Sequence, residues 1–394
     1  MNTDHQDSRL DRRDFLKIGG AAVGAATILG PRALARTTAS ATSLVPLKTR
    51  HVVLVAFAGG VRSRETILAP QTAPNLARLA ARGVVFPDTV VRNNGHYGAA
   101  LSIFTGCFEV AGIRENLRGT NPTIFEYVRK HAALAPTEVW LSTTGGEQQV
   151  NFAYSDHARY GSAYAANLVS GEGIFNAEFR GILEKFGRLP SPDPEREARL
   201  KRLRAAIEPP AGVKAVAPND PESASAVARY LLEELAAGTS RLTGPGAADA
   251  KAFRVGANIL RIFKPRLLGV SLQQADCAHG SYNDYVEVIR RNDAELGKLL
   301  DGIQADENLR DSTAVFVLPE FGRDKDLNER RGLDHGDGSE DLLKIGLVAA
   351  GPDFRKGKVA KDDVESIDVC PTIAKLFGVE ASAARGKVLK GLFA

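Results

Sequence analysis

His51-Val52-Val53-Leu54-Val55-Ala56-Phe57 is an unbroken apolar run rich in β-branched residues, followed at once by Ala58-Gly59-Gly60. A strand with one wet face alternates apolar and polar side chains. A run with no polar position reads as a strand buried on both faces, the mark of a parallel sheet in an α/β protein. Outward from this strand, Pro74-Asn75-Leu76 opens a helix through Ala81 with Gly83 as its C-terminal cap. Val84-Val85-Phe86 returns as a strand. The loop Asn93-Asn94-Gly95-His96 leads into an Ala/Leu/Ile helix that starts near Tyr97 and ends at Thr105-Gly106, and Glu138 to Ser142 is another short strand.

From about Asn151 to Pro245 the pattern changes. Arg/Glu-rich helix, the breaks at Pro190, Pro192, Pro194, Pro209 and Pro210, and a helix over Ser223–Ala237 read as a helical insertion or lid over 151–245. The α/β alternation resumes with a helix over Ala248–Phe263, a strand over Leu267–Leu272 and a long amphipathic helix over Tyr282–Ile303. The apolar stripe of that helix is Val286, Ile289, Leu296, Leu299 and Leu300. Strands Thr313–Leu318 and Ile345–Ala349 and a helix over Val369–Phe377 complete a three-layer α/β sandwich around a mostly parallel sheet, spanning 51–394.

Composition narrows the function. The 394 residues are 44% hydrophobic and 25% charged, which excludes disorder and coiled coil. A net charge of +4 with no basic arm is no footprint for nucleic acid. Cys107, Cys277 and Cys370 form no CxxC pair, so neither a disulfide framework nor a zinc ribbon is encoded, and each reads as a small packing residue. At the N-terminus, Arg12-Arg13 precedes a Gly/Ala-rich apolar run from Ile18 to Gly30 and the small-residue site Ala33-Leu34-Ala35. Residues 1–35 therefore read as a twin-arginine signal peptide and 36–50 as a linker. The mature protein is expected to be periplasmic or extracellular, with no transmembrane helix after cleavage. CxxCH and clustered Fe–S cysteines are absent, so the ligands that remain for a cofactor are His, Asp and Glu.

Four segments, in order, resemble the alkaline phosphatase and sulfatase superfamily. They are HVVLVAFAGGVR with TAPNLARLAARGVVF; the run ending Ser102-Ile103-Phe104-Thr105-Gly106; Asp276-Cys277-Ala278-His279 with the helix containing Asn292-Asp293-Ala294-Glu295-Leu296-Gly297; and TAVFVLPEFGR with Asp334-His335-Gly336 and Asp368-Val369-Cys370-Pro371-Thr372. The Asp276-to-His279 spacing is one residue shorter than the family's. The resemblance implies two metal sites flanking a nucleophile, a small anionic ester as substrate, and one intact site in residue type. Asp276, His279 and His335 offer two imidazoles and a carboxylate, a set that suits a divalent metal, zinc above all.

The other site is eroded. Ala58 stands where the family carries an aspartate, and Pro319-Glu320-Phe321 stands where it carries Ser-Asp-His, so Glu320 is the carboxylate retained there as a ligand, with Asp324 nearby as a second carboxylate or a surface charge. Counting back from Thr105-Gly106 puts His96 in the nucleophile's place. No cysteine begins a Cys-x-Pro-x-Arg motif, which excludes a formylglycine.

Each residue also has a plainer reading. Asp276 and His279 suit a turn capping the Tyr282 helix, and His335 suits a polar turn with Asp334 and Asp337 solvated. His96 can be a nucleophile, a ligand or a hydrogen-bonding loop residue, and Asn93 and Asn94 are turn formers. Arg62 and Arg323 flank the pocket, either to grip an anion or as surface salt bridges. Placed at a helix N-terminus, His96 is expected to have a lowered pKa, and to share a cleft with Asp276, His279 and His335, with Ala58 and Glu320 on the opposite wall. Two functions are consistent with this: a hydrolase with a reduced metal centre, or a non-catalytic relative that serves as a binding or scaffold protein of the cell envelope.

Overall fold

The first strand sits at the middle of the sheet, flanked on both sides by parallel neighbours. The computed structural model describes residues 46–110, 117–145, 148–170, 173–174 and 242–394. The signal peptide, most of the linker and the Ser223–Ala237 helix lie outside the described residues. Within them, β1 (His51–Ala56), β2 (Val84–Val90), β3 (Val139–Thr143), β4 (Asn167–Ser170), β5 (Gly173–Ile174), β6 (Leu267–Ser271), β7 (Thr313–Leu318), β8 (Lys344–Ala350) and β9 (Lys358–Val359) form one sheet. Its order is β5-β4-β3-β6-β1-β7-β8-β2-β9. β1 pairs in parallel with β6 and β7. β8 runs antiparallel to both β7 and β2, and β5 antiparallel to β4.

Alternation along β1 creates the three layers. Val52, Leu54 and Ala56 face a core built with α2 (His96–Thr105), α3 (Ile124–His131) and α7 (Val369–Leu376). Val53 and Val55 face the other core, against α1 (Pro74–Ala81), α4 (Ala247–Phe263) and α5 (Tyr282–Ala305). Both sides being covered is why β1 carries no polar residue after the half-buried His51 at its start. A short helix, α6 (Glu340–Leu343), precedes β8.

Two differences from the sequence expectations have local causes. The strand opened by Val84-Val85-Phe86 continues through Pro87 and Asp88 to Val90, with an irregularity between Phe86 and Thr89 that absorbs the proline. Asn167–Ser170, inside the stretch read as an insertion, is a strand paired in parallel with β3.

Two of the quoted motifs hold elements together. Asp293 on α5 is buried and accepts hydrogen bonds from the backbone N–H groups of Asn75 (3.0 Å) and Leu76 (2.8 Å) and from Asn75 Nδ2 (2.9 Å). It thereby supplies from another helix the N-terminal cap that Ala73 cannot give α1. Gly297 makes room for this contact, since a Cβ there would lie 2.5 Å from Asn75 Oδ1. Asp368 accepts from the Lys387 (2.7 Å) and Glu365 (3.0 Å) N–H groups, fastening the C-terminal segment. No helix among the described residues is long and apolar enough to cross a membrane.

Candidate active site

The ends of β1, β6 and β7 and the start of α2 converge at the carboxyl edge of the sheet, where open α/β sheets bind ligands. After β1 the chain turns through Gly59 (φ +99°) and Gly60 (φ +69°). A Cβ on Gly59 would lie 2.5 Å from the Gln273 carbonyl, so glycine is what lets this turn approach the 3₁₀ turn Gln274–His279 that follows β6. That turn is anchored by fully buried Asp249 on α4, which accepts from the Gln273 (3.0 Å) and Gln274 (3.1 Å) N–H groups. The turn projects Asp276 and His279 into the cleft. Glu320 and Arg323 come from the loop after β7, both almost completely buried, and His335 from the loop before α6.

His96, the first residue of α2, is clamped between two carboxylates. Its Nδ1 lies 2.5 Å from Glu320 Oε1, and its Nε2 lies 2.9 Å from Asp276 Oδ1 in an approach poorly aligned for a hydrogen bond. Burial alone would lower its pKa, but Asp276 and Glu320 outweigh that and raise it to about 9. This reverses the lowered value expected from the helix terminus. The dipole contributes only about 0.3–1 kcal/mol at such a position, less than two carboxylates in contact. Nor does Glu320 stand on the opposite wall: its Oε1 bonds His96 and also accepts the Gly59 N–H at 2.9 Å, while its buried Oε2 has no partner.

Burial would raise the Asp276 carboxyl, yet His96 and Arg323 hold it well below the usual carboxylate range. His279 Nε2 lies 3.2 Å from Arg323 Nη1 and 3.4 Å from Asp276 Oδ1, and Nδ1 lies 2.6 Å from Asp334 Oδ1. Arginine can only donate, so the Arg323 contact assigns Nε2 as acceptor, with the ring proton on Nδ1 donated to Asp334. Burial, together with the charges of His96 and Arg323, lowers His335 to about 4, leaving it neutral near pH 7. Its ring centroid is 4.9 Å from those of both His96 and His279.

Ligand atoms of His96, Asp276, His279 and His335 all lie within 4.8 Å of one another, so this group could hold a metal ion. The donor chemistry fits: one carboxylate and two imidazoles, of which His335 is neutral and His279 has its Nε2 lone pair turned inward, with His96 beside them as a cation. Glu320 is outside this group and reaches it only through His96. Beside it opens a cleft of about 310 Å³ lined by Ala58, Tyr97, Gln149, Phe152, Gln273 and Glu320, among others.

Several side chains depart from their sequence readings. Asp334, read as a solvated turn residue, orients His279, and its position next to His335 was the available signal. Cys277 is exposed, not packed. Arg62 is not among the residues lining that cleft: it is buried in an ion pair with Glu65 and donates to the Asp324 and Lys325 carbonyls. Arg323 is wholly buried. Asp324 braces the His335 loop by accepting the Gly336 (2.6 Å) and Asp337 (2.9 Å) N–H groups. Asn93 is the turn former it was read as, accepting the Gly95 N–H at 2.8 Å, and Asn94 Nδ2 donates to the His335 carbonyl at 2.7 Å.

Sheet order, flanking layers and a cleft at the carboxyl edge define a three-layer α/β fold around a mostly parallel sheet. Among solved structures, the chain is similar to a multiply substituted variant of the alkaline phosphatase PafA (TM-score 0.57, 10% identity, covering 89% of this chain and 100% of that one). It is similar likewise to wild-type PafA (TM-score 0.55, 9% identity, with the same coverage). No protein-family model matches the chain, and no curated protein matches it in sequence.

Proposed function

We propose that the protein is an exported, metal-dependent hydrolase of an anionic ester, phosphate or sulfate, with one metal position rather than two. The observation that carries this reading is the convergence of His96, Asp276, His279 and His335 at the carboxyl edge of the sheet. Asp276, His279 and His335 would hold the ion, zinc by donor type, and when bound it would supply a Lewis acid and an activated water. Asp334, by accepting the Nδ1 proton of His279, turns the Nε2 lone pair into the site. His96, held between the Glu320 and Asp276 carboxylates, is placed to give a proton to a leaving oxygen rather than to attack as a nucleophile, and Glu320 orients its ring. The alcohol part of the ester would lie in the cleft between Tyr97, Phe152 and Gln149. The fold shared with PafA, an alkaline phosphatase, favours the phosphate ester. Export rests on Arg12-Arg13 and Ala33-Leu34-Ala35 and gives a periplasmic or extracellular location.

A second reading is a catalytically degenerate scaffold of the cell envelope, favoured by Ala58 and by Phe321, which is fully buried where the family carries a ligand. Metal analysis at saturating zinc, with a panel of aryl phosphate, phosphodiester and sulfate esters, separates the two. The hydrolase reading expects about one ion per chain and turnover of at least one ester class. It also expects metal affinity reduced by roughly 10–100-fold or more in His279→Ala. No metal and no turnover would leave the scaffold.

A further inference from the structure

Among the described residues Arg323 is the one arginine that is completely buried, with a relative exposure of 0%. A guanidinium has five N–H donors in a fixed fork. Here all five are taken. Nε donates to the Gly60 carbonyl (3.3 Å), Nη1 to the Leu333 carbonyl (3.2 Å) and to His279 Nε2 (3.2 Å), and Nη2 to the Gly59 carbonyl and to Asp276 Oδ1 (2.5 Å). No donor remains for a substrate anion, so Arg323 is not a clamp for the ester, and its burial excludes an ordinary surface salt bridge. Three of its acceptors are backbone carbonyls that fix the fork in place. The other two belong to residues on which a metal ion would sit.

We infer that Arg323 is a built-in cation that competes with metal ions for Asp276 and His279, holding the site assembled without metal and admitting an ion only when its own hydrogen bonds break. This rests on the reading above that the site takes metal. The imidazole Nε2 has a single lone pair. An ion bound there leaves an Nη1–H without an acceptor in a place closed to water, and it brings a second cation against a buried guanidinium. Asp276 Oδ1 is already shared between Arg323 and His96, so an ion either divides it with them or takes Oδ2 beside the buried guanidinium. Metal binding to the wild type is therefore weaker than the donor set alone would give. The loss of one buried donor's partner corresponds to roughly 10- to 100-fold in a binding constant.

The test is zinc binding to the EDTA-treated full chain, measured by competition with a chromophoric chelator. Arg323→Met is expected to bind zinc roughly 10- to 100-fold more tightly than wild type, with Arg323→Lys, which keeps the charge but not the fork, in between. Adding His279→Ala to Arg323→Met should abolish the gain and so assign it to this site. Because Arg323→Met strips donors from the carbonyls of Gly59, Gly60 and Leu333, its folding is followed by thermal melting. A second measurement on wild type needs no folded variant: in ¹⁵N spectra of arginine-labelled protein, the Arg323 guanidinium signals should move as zinc is added. A folded Arg323→Met protein that binds zinc no more tightly, or zinc bound by the wild type through His279 with Arg323 signals unmoved, overturns the inference and leaves the hydrolase reading standing. Zinc bound by Arg323→Met but not by wild type upholds the inference and removes the hydrolase reading. Binding by neither overturns both.

Discussion

Glu320→Gln isolates the interaction that decides what His96 can do. In the wild type, the Glu320 and Asp276 carboxylates raise the imidazole from 6.5 to about 9 against the opposing effect of burial. Two and a half pH units at about 1.4 kcal/mol each amount to roughly 3–4 kcal/mol of folding stability from this residue. The sign follows from the direction: a group whose folded pKa is raised contributes fully below its unfolded value and loses that contribution as pH rises. The stabilisation should be complete below about pH 6.5 and gone above about pH 9. Glutamine keeps an oxygen for the Gly59 N–H but removes the charge at 2.5 Å, so the His96 midpoint should fall by roughly 1–3 pH units, with Asp276 sustaining the rest. The assay is the ring C–H titration of metal-free protein by NMR, with the His96 signal assigned by its loss in His96→Gln. Urea unfolding of wild type and His96→Gln between pH 6 and 10 accompanies it. A wild-type midpoint at or below 6.5, or one that Glu320→Gln leaves in place, refutes the clamp and with it the acid role of His96.

Asp293→Ala should destabilise the fold by about 2–4 kcal/mol in urea unfolding, since it removes a buried carboxylate that accepts three hydrogen bonds at the start of α1, and it should do so without altering zinc affinity. With a thiol reagent, Cys277 should be modified in the native protein, while buried Cys107 and Cys370 should react only on unfolding; simultaneous reaction of all three would contradict the packing around α2 and α7. Replacing Arg12 and Arg13 with lysine should trap unprocessed precursor in the cytoplasm, as read by fractionation and immunoblot, and normal export would remove the twin-arginine reading.

Much of the fold was legible because burial on both faces leaves an unambiguous trace. The apolar run His51–Phe57 could only be a central strand, and the Tyr282 helix shows Ile289, Leu296 and Leu299 buried on its stripe, with Val286 and Leu300 at its margin. Strand direction left no such trace. β8 is as apolar as β7, and nothing in Lys344–Ala350 tells that it runs antiparallel between β7 and β2. The extension of β2 was hidden for a related reason: Pro87 and Asp88 read as a break, and only the pairing of Thr89 and Val90 with Ile345 and Lys344 carries the strand past them.

The candidate site was legible in its membership more than in its electrostatics, and the two differ in range. Residue types at motif positions are local facts, which is how Asp276, His279, His335 and His96 were singled out. The charge state of His96 depends on Glu320, 224 residues away in the chain, so local sequence offered only the weaker helix dipole and gave the opposite sign. Arg323 shows the same limit. As a lone arginine after a strand it suggested a salt bridge or an anion clamp, and only the assembled carbonyls of Gly59, Gly60 and Leu333 fix it inside. Those carbonyls are available because Gly59 and Gly60 take positive φ, a conformation a side chain would resist. The Gly-Gly pair after Ala58 thus lets the turn that follows the first strand present two carbonyl oxygens to a guanidinium. A cation that cannot leave is thereby held against Asp276 and His279, the residues proposed to take the metal.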